Sequence, residues 1–122
     1  MLLDTNILIY LAQPGGETLQ AQIASTSPAA SLISRVEALG FQRITDDERE
    51  RLDTVFAWVE VLPVDDAVAD AAILLRQSRR MKLGDALIAA TALLYDLPLV
   101  TRNDGDFKHV PGLRLINPFQ TA

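Results

Sequence analysis

The sequence predicts a single α/β domain in which a mostly parallel central sheet is flanked by helices, an α/β/α arrangement. Short apolar runs alternate with longer segments of helical periodicity along the whole chain, which favours strands joined by helical crossovers. With 122 residues, 49% of them hydrophobic, the chain is long enough for one core. No internal repeat, low-complexity tract or linker divides it. We therefore expect one domain over residues 1–122.

The first half of the chain predicts two strands and four helices. Pro14-Gly15-Gly16 and the segment 25–28 are breakers between helices. Leu52, Val55 and Phe56 follow helical spacing with charges opposite, which gives the clearest helix of this half. The predicted elements are a strand at 2–3, helices at 5–12 and 17–24, a strand at 29–33, and helices at 34–40 and 45–59.

The second half predicts three further strands and two helices. The segment 83–95 is the most apolar helical stretch, so we expect it to be central. Asn103-Asp104-Gly105 predicts a polar turn. The predicted elements are a strand at 61–64, helices at 65–79 and 83–95, and strands at 98–101 and 113–116.

Composition excludes several kinds of chemistry. The chain has no Cys, which rules out disulfides and thiolate sites, and its single His, His109, cannot form a His-rich zinc site. A net charge of −5 argues against a protein that coats nucleic acid by bulk charge. The apolar stretch at 87–94 is too short to span a bilayer, and the N-terminus has no basic segment. We therefore expect a cytoplasmic protein without membrane contact.

Acidic residues follow several of the predicted strands. Asp4 closes the first strand, Glu37 lies on the first turn after the second, and Asp85 opens the apolar helix. Three polar candidates, Asn103, Asp104 and Asp106, follow the strand at 98–101. The carboxyl ends of parallel strands meet at one sheet edge, where ligands usually bind. We expect these side chains to converge there.

Each acid also has a structural interpretation. Asp4 is a suitable N-cap, Ser34-Arg35-Val36-Glu37 fits a capping box, and Asp85 would be favoured by the helix dipole. Asp104-Gly105 is an ordinary turn pair. Taken together, however, carboxylates crowded on one edge repel one another unless protons or cations compensate. Because oxygen ligands suit Mg²⁺ or Mn²⁺, the constellation predicts a metal site.

Four segments that contain the candidate acids follow one another along the chain, and Pro111-Gly112-Leu113 follows the last of them. The segments are LLDTN at 2–6, ISRVEALG at 33–40, LGDALIAATA at 83–92 and LVTRNDGDF at 99–107. With these segments in this order, the chain resembles the PIN-domain ribonucleases, and more narrowly the VapC-type toxins of toxin–antitoxin pairs.

The resemblance implies a set of metal ligands. Asp4, Glu37 and Asp85 match the three acids that hold Mg²⁺ or Mn²⁺ in that family. The fourth position falls on Asp106, which precedes Phe107, or on Asn103, with Asp104 ranked last. Thr5 and Asn6 suit either hydrogen bonds to these acids or a helix first turn.

The resemblance further implies hydrolysis of RNA by a metal-activated water, inhibition by a protein antitoxin, and a homodimer. An apolar helical surface near Ile23 and Phe41 is a candidate landing place for the antitoxin, although core burial suits each residue alone. Five basic residues lie near the expected mouth of the site, where they would contact RNA or form an ordinary solvated face: Arg79, Arg80, Lys82, Arg102 and Lys108.

Two alternatives are a catalytically inactive PIN fold that binds RNA or protein, and a phosphotransferase of the haloacid dehalogenase type. The first should have lost one of the three acids, and all are present. The second needs an acid two residues after Asp4, where Asn6 stands.

Overall fold

A computed structural model describes residues 1–120 and contains one five-stranded sheet in which every paired strand is parallel. Its strand order is β3-β2-β1-β4-β5. The strands are β1 (Leu2–Leu3), β2 (Ala29–Ser31), β3 (Glu60–Leu62), β4 (Leu99–Val100) and β5 (Leu115–Ile116). Helices join successive strands, which confirms the predicted α/β/α class.

Seven α-helices lie within the described residues. They are α1 (Thr5–Ala12), α2 (Glu17–Ile23), α3 (Leu32–Leu39), α4 (Asp46–Trp58), α5 (Asp66–Ser78), α6 (Leu83–Leu94) and α7 (Asp104–Phe107). A short 3-10 turn, Ala24–Thr26, extends α2. None of the helices in residues 1–120 is long and apolar enough to cross a membrane.

The central strand β1 contributes to the core on both faces of the sheet. Leu3 packs with α1, α2 and α4, whereas Leu2 packs with α6, β4 and Phe107. Both leucines are fully buried, and burial of a side chain of this size stabilises the fold by about 2 kcal/mol. The strand is therefore fixed firmly between two helical layers.

The strand order places a switch point beside β1. The chain passes from β1 to β2 and β3 on one side, and later returns to β4 and β5 on the other. The carboxyl ends of β1 and β4 are neighbours, but the helices that follow them, α1 and α7, pack in different core clusters. In open parallel sheets this is where a ligand-binding crevice forms.

The second strand is shorter than predicted, and this corrects the structural interpretation of Glu37. β2 ends at Ser31, and the Ser31 hydroxyl caps α3 by accepting a hydrogen bond from the backbone N–H of Ile33 at 3.2 Å. Ser34 is buried inside α3, so it does not begin a capping box with Glu37. Glu37 lies in the second turn of α3 rather than the first.

The predicted turn at 103–105 is also wrong, because these residues lead into the one-turn helix α7. Phe107 ends this helix and is 1% exposed, so it anchors the segment in the core as expected. Of the two residues suggested as an apolar landing surface, Ile23 is buried in the core and Phe41 is 58% exposed.

Candidate active site

Asp4 is held rigidly at the carboxyl end of β1. Its Oδ1 accepts a hydrogen bond from the Thr5 N–H at 2.8 Å, and its Oδ2 accepts one from the Thr101 hydroxyl at 2.8 Å. Burial raises the pKa of Asp4, the two hydrogen bonds oppose that rise, and the charges of Glu37 and Asp106 add to it. Asp4 therefore caps α1, as one interpretation predicted, and also aims a constrained carboxylate at the sheet edge.

Glu37 is exposed but is tied to the same edge through Thr5. The Thr5 hydroxyl donates to Glu37 Oε1 at 2.7 Å and lies 2.9 Å from the buried Ser34 hydroxyl. These contacts join α1 to α3 and restrict the rotamers of a long side chain. Thr5 therefore has the supporting role that the sequence left open, while also starting α1.

Gly84 makes the close approach of Glu37 possible. It is the second residue of α6, and a Cβ built there would collide with Glu37 Oε2 and lie 3.0 Å from Glu37 Cδ. Any larger residue would push the carboxylate away from Thr5. The position of the Glu37 carboxylate thus depends on Gly84, a residue that has no side chain.

Asp85 follows in the first turn of α6. Burial, together with the charges of Asp106, Asp4 and Glu37, raises its pKa to about 6, and the charge of Lys82 partly opposes this rise. The mutual influence of the acids shows that they share one electrostatic environment. A carboxyl pKa raised this far is typical of functional sites.

Of the three remaining candidates, two reach this environment. Asp106 and Asn103 line the same cavity as Asp4, Glu37 and Asp85. Asp104 does not line it; its two carboxylate oxygens accept hydrogen bonds from Asn117 Nδ2 at 3.3 Å and Gln120 Nε2 at 3.1 Å. The identity of the fourth metal ligand therefore remains a prediction, and both Asp106 and Asn103 lie at the cavity where that ligand is expected.

The acidic cavity has a volume of about 360 Å³. Its lining comprises Asp4, Thr5, Asn6, Ile9, Glu37, Lys82, Asp85, Asn103 and Asp106. Within residues 1–120, no three acidic or histidine side chains already surround one point as a complete ligand set. Mg²⁺ usually keeps several water ligands and needs only one or two carboxylates, so a cavity of this size with four carboxylates in its lining fits Mg²⁺ or Mn²⁺.

Two supporting residues had no specific signal in the sequence. Thr101 contacts Asp4 across 97 residues, and a threonine in a β-strand is ordinarily explained by β-propensity alone. Gly84 sits in a helix first turn, where its role follows only from the position of Glu37. Of the predicted basic residues, Lys82 lines the acidic cavity, and Arg102 lines a second cavity beside it.

An all-parallel α/β/α domain with four carboxylates around one cavity at its switch point has the architecture of a PIN-like domain. The family model described as PIN domain matches residues 1–113, and the chain belongs to that family. The haloacid dehalogenase alternative is therefore not supported.

Relatives of similar length match almost the whole chain. A curated protein named Ribonuclease VapC, from Rickettsia bellii, is 25% identical over 126 residues, covering 95% of this chain and 94% of the relative. A chain of a toxin–antitoxin complex from Klebsiella pneumoniae is 32% identical with a TM-score of 0.77, covering 98% of each chain. FitAcB from Neisseria gonorrhoeae superposes with a TM-score of 0.78 at 25% identity, covering 98% of this chain and 99% of that chain.

Replacement of Gly84 by Ala should weaken divalent-metal binding without unfolding the protein, because the new methyl group displaces the flexible end of Glu37 rather than backbone. Mn²⁺ affinity, measured by calorimetry, should fall about 10-fold, as it does when supporting contacts around metal ligands are lost. Gly105→Ala is the matched control, since a Cβ there meets nothing within 4 Å. Equal Mn²⁺ affinities for wild type and Gly84→Ala would contradict this role of Glu37.

Proposed function

We propose that the protein is a Mg²⁺- or Mn²⁺-dependent ribonuclease that acts as the toxin of a toxin–antitoxin pair. The observation that carries the proposal is the convergence of Asp4, Glu37, Asp85 and Asp106 on one cavity from four separate segments. The inactive-PIN alternative has no support from these positions, because none of the acids is missing. The name of the Rickettsia bellii relative supports RNA as the substrate.

The chain's own residues would hold and orient the reacting groups. A divalent ion, when bound, activates water and stabilises the charge that develops on the phosphate. Asp4 and Glu37, restrained by Thr5 and Thr101, would ligate such an ion together with Asp85, and Asp106 or Asn103 would complete the set. Lys82, which lines the cavity, would attract the RNA phosphate towards the acids. No side-chain nucleophile is required.

The test is cleavage of a mixed RNA pool by wild type and Asp4→Ala, each with Mg²⁺, with Mn²⁺ and with EDTA. Wild type should produce fragments with 5′-phosphate ends only when metal is present, and Asp4→Ala should produce none above background. The control is Arg114→Ala, which removes an exposed charge paired with Asp96 away from the acidic cavity. Metal-independent cleavage, or full activity of Asp4→Ala, would refute the proposal.

The proposed partners are a protein antitoxin and a second copy of this chain. Support comes from the toxin–antitoxin complex that the Klebsiella pneumoniae structure contains. Several apolar side chains are exposed and could be buried by such partners: Val36 is 61%, Phe41 58% and Leu74 66% exposed. An Arg or Lys in an antitoxin tail would form charge-assisted hydrogen bonds with the acids of the cavity.

An antitoxin that inhibits in this way should compete with the metal. The purified complex is therefore expected to need about 10-fold more Mg²⁺ than the free protein for half-maximal cleavage, since occupancy by the cation requires displacement of the basic side chain. Mg²⁺ titrations of cleavage rate by the two preparations measure this. If the midpoints coincide, the antitoxin inhibits elsewhere, although the nuclease proposal stands.

A further inference from the structure

A second polar cavity adjoins the acidic cavity, and Asn103 is the one proposed metal ligand that also lines it. It has a volume of about 490 Å³ and is lined by Asn6, Ile9, Tyr10, Gln13, Arg102 and Asn103. Three of these, Asn6, Ile9 and Asn103, also line the acidic cavity, so the two spaces are contiguous. We refer to it as the amide cavity, because three carboxamide side chains line it.

Arg102 is held at the amide cavity by aromatic rings. Its guanidinium carbon lies 4.2 Å from the centre of the Phe119 ring and 6.0 Å from that of Tyr10. The two rings contact each other edge to face at 4.9 Å, which fixes the platform. Phe119 does not line the cavity whereas Arg102 does, so the ring supports the guanidinium from outside the space that a ligand would enter.

The charge of Arg102 is not neutralised within the described part of the chain. Among residues 1–120 the ion pairs are Arg49–Asp46, Arg51–Asp47 and Arg114–Asp96, and no carboxylate lies within 4.0 Å of Arg102. Asp104 and Asp106 are nearby in sequence, yet they are directed to other partners or to the acidic cavity. An arginine that is stacked on rings instead of paired keeps its N–H groups available for a ligand.

We propose that the amide cavity binds one unpaired nucleotide of the RNA, next to the phosphodiester at the acidic cavity. This inference rests on the proposed ribonuclease function and assigns a nucleotide-binding position, with Arg102 at its centre, beside the proposed metal site. Arg102 supplies a cation for a flanking phosphate and a planar surface for a base, and Tyr10 adds an aromatic ring. The carboxamides of Asn6, Gln13 and Asn103 offer both donors and acceptors to the edge of a base.

The charge distribution favours RNA in this cavity over an acidic protein segment. A ligand here must also lie beside four carboxylates, which repel a carboxylate-rich peptide unless many cations intervene. An RNA strand has one phosphate per nucleotide, so a metal at the acidic cavity and Arg102 would neutralise successive phosphates. Bases of a duplex are paired and stacked, so they cannot enter a side cavity of this kind.

The test measures binding separately from cleavage. In an Asp85→Asn background with Mg²⁺, a fluorescein-labelled single-stranded RNA ten-mer of randomised sequence is titrated by anisotropy. Arg102→Ala should weaken binding about 10-fold, the loss expected when a stacking and charged contact is removed. Arg102→Lys, which keeps the positive charge but lacks the planar guanidinium group, should restore only part of the lost RNA affinity. Arg114→Ala, which removes an equal charge paired elsewhere, should bind like the parent.

A second measurement examines the carboxamides in the active protein. Gln13→Ala should change the base preference at one position beside the cut, read by sequencing the ends of fragments from a randomised RNA pool. Gln20→Ala, a glutamine of α2 outside the amide cavity, should leave the preference unchanged.

Three results would overturn the subsite: no binding of the single strand, equal losses in Arg102→Ala and Arg114→Ala, or a loss of antitoxin affinity in Arg102→Ala with RNA binding intact. Failure of the ribonuclease proposal gives a different result. The ten-mer would then bind in an Arg102-dependent manner, but wild type would not cut it with Mg²⁺ or Mn²⁺.

Discussion

Asp85→Asn should abolish RNA cleavage while making the metal-free protein more stable at neutral pH. The carboxylate is half-buried and faces the charges of Asp106, Asp4 and Glu37, and its pKa is raised to about 6. No side-chain hydrogen bond compensates it within residues 1–120, in contrast to Asp4. Its ionisation at pH 7 therefore opposes folding, whereas the neutral amide has nearly the same shape and no charge.

The direction of the pH dependence follows from proton binding. Between the ordinary aspartate pKa of 3.8 and about 6, folded Asp85 holds more of its proton than unfolded Asp85 does. The free energy of unfolding therefore decreases as pH rises through this window, and the penalty is complete above it. Because the group is partly exposed, solvent screening reduces the penalty to about 1 kcal/mol.

Thermal unfolding of wild type and Asp85→Asn in EDTA measures this effect. The melting temperatures should be similar near pH 4, and the variant should melt about 4 °C higher at pH 7. Added Mg²⁺ should raise the melting temperature of wild type more than that of the variant. Asp70→Asn, the same change on an exposed face of α5, is the control. Cleavage by Asp85→Asn at the wild-type rate would remove Asp85 from the proposed metal site.

The sequence predicted most accurately the helices in which apolar side chains recur at helical spacing over several turns. The periodicity of Leu52, Val55 and Phe56 defined α4, and the apolar run of α6 was recognised with an error of one residue at its end. The strands contain only two or three residues, too few for a periodic pattern; β1 was placed correctly, but at least one end of each of the other four strands was misplaced. At β2 either Ser31 or Ser34 could cap the next helix, and only tertiary packing decides between them.

The acids of the site were recognisable because each follows a predicted strand or begins a helix. Their supporting contacts were not, since they join residues distant in sequence. Thr5 contacts Glu37 from 32 positions away, and Thr101 contacts Asp4 from 97. Gly84 matters because it has no side chain, which leaves room for the carboxylate of Glu37. The aromatic support of Arg102 by Phe119 likewise depends on the return of the chain after β5.

Asp106→Ala should reduce cleavage strongly, whereas Asp104→Ala should chiefly reduce stability. Asp106 lines the acidic cavity and is the charge that most strongly raises the pKa of Asp85, after burial. Asp104 instead accepts hydrogen bonds from Asn117 and Gln120 and fixes the C-terminal segment against α7. Their positions in one short helix make the two variants matched controls for each other.

Loss of Asp106 should lower the cleavage rate about 100-fold, because a metal ligand or its immediate support disappears. Loss of Asp104 should cost about 1 kcal/mol of unfolding free energy, the usual value for a pair of partly exposed hydrogen bonds, with cleavage changed less than about 3-fold. Single-turnover rates and urea unfolding of both variants separate the effects. Equal losses of rate, or a larger loss in Asp104→Ala, would show that Asp104 is the fourth acid and that its contacts to Asn117 and Gln120 give way when RNA and metal bind.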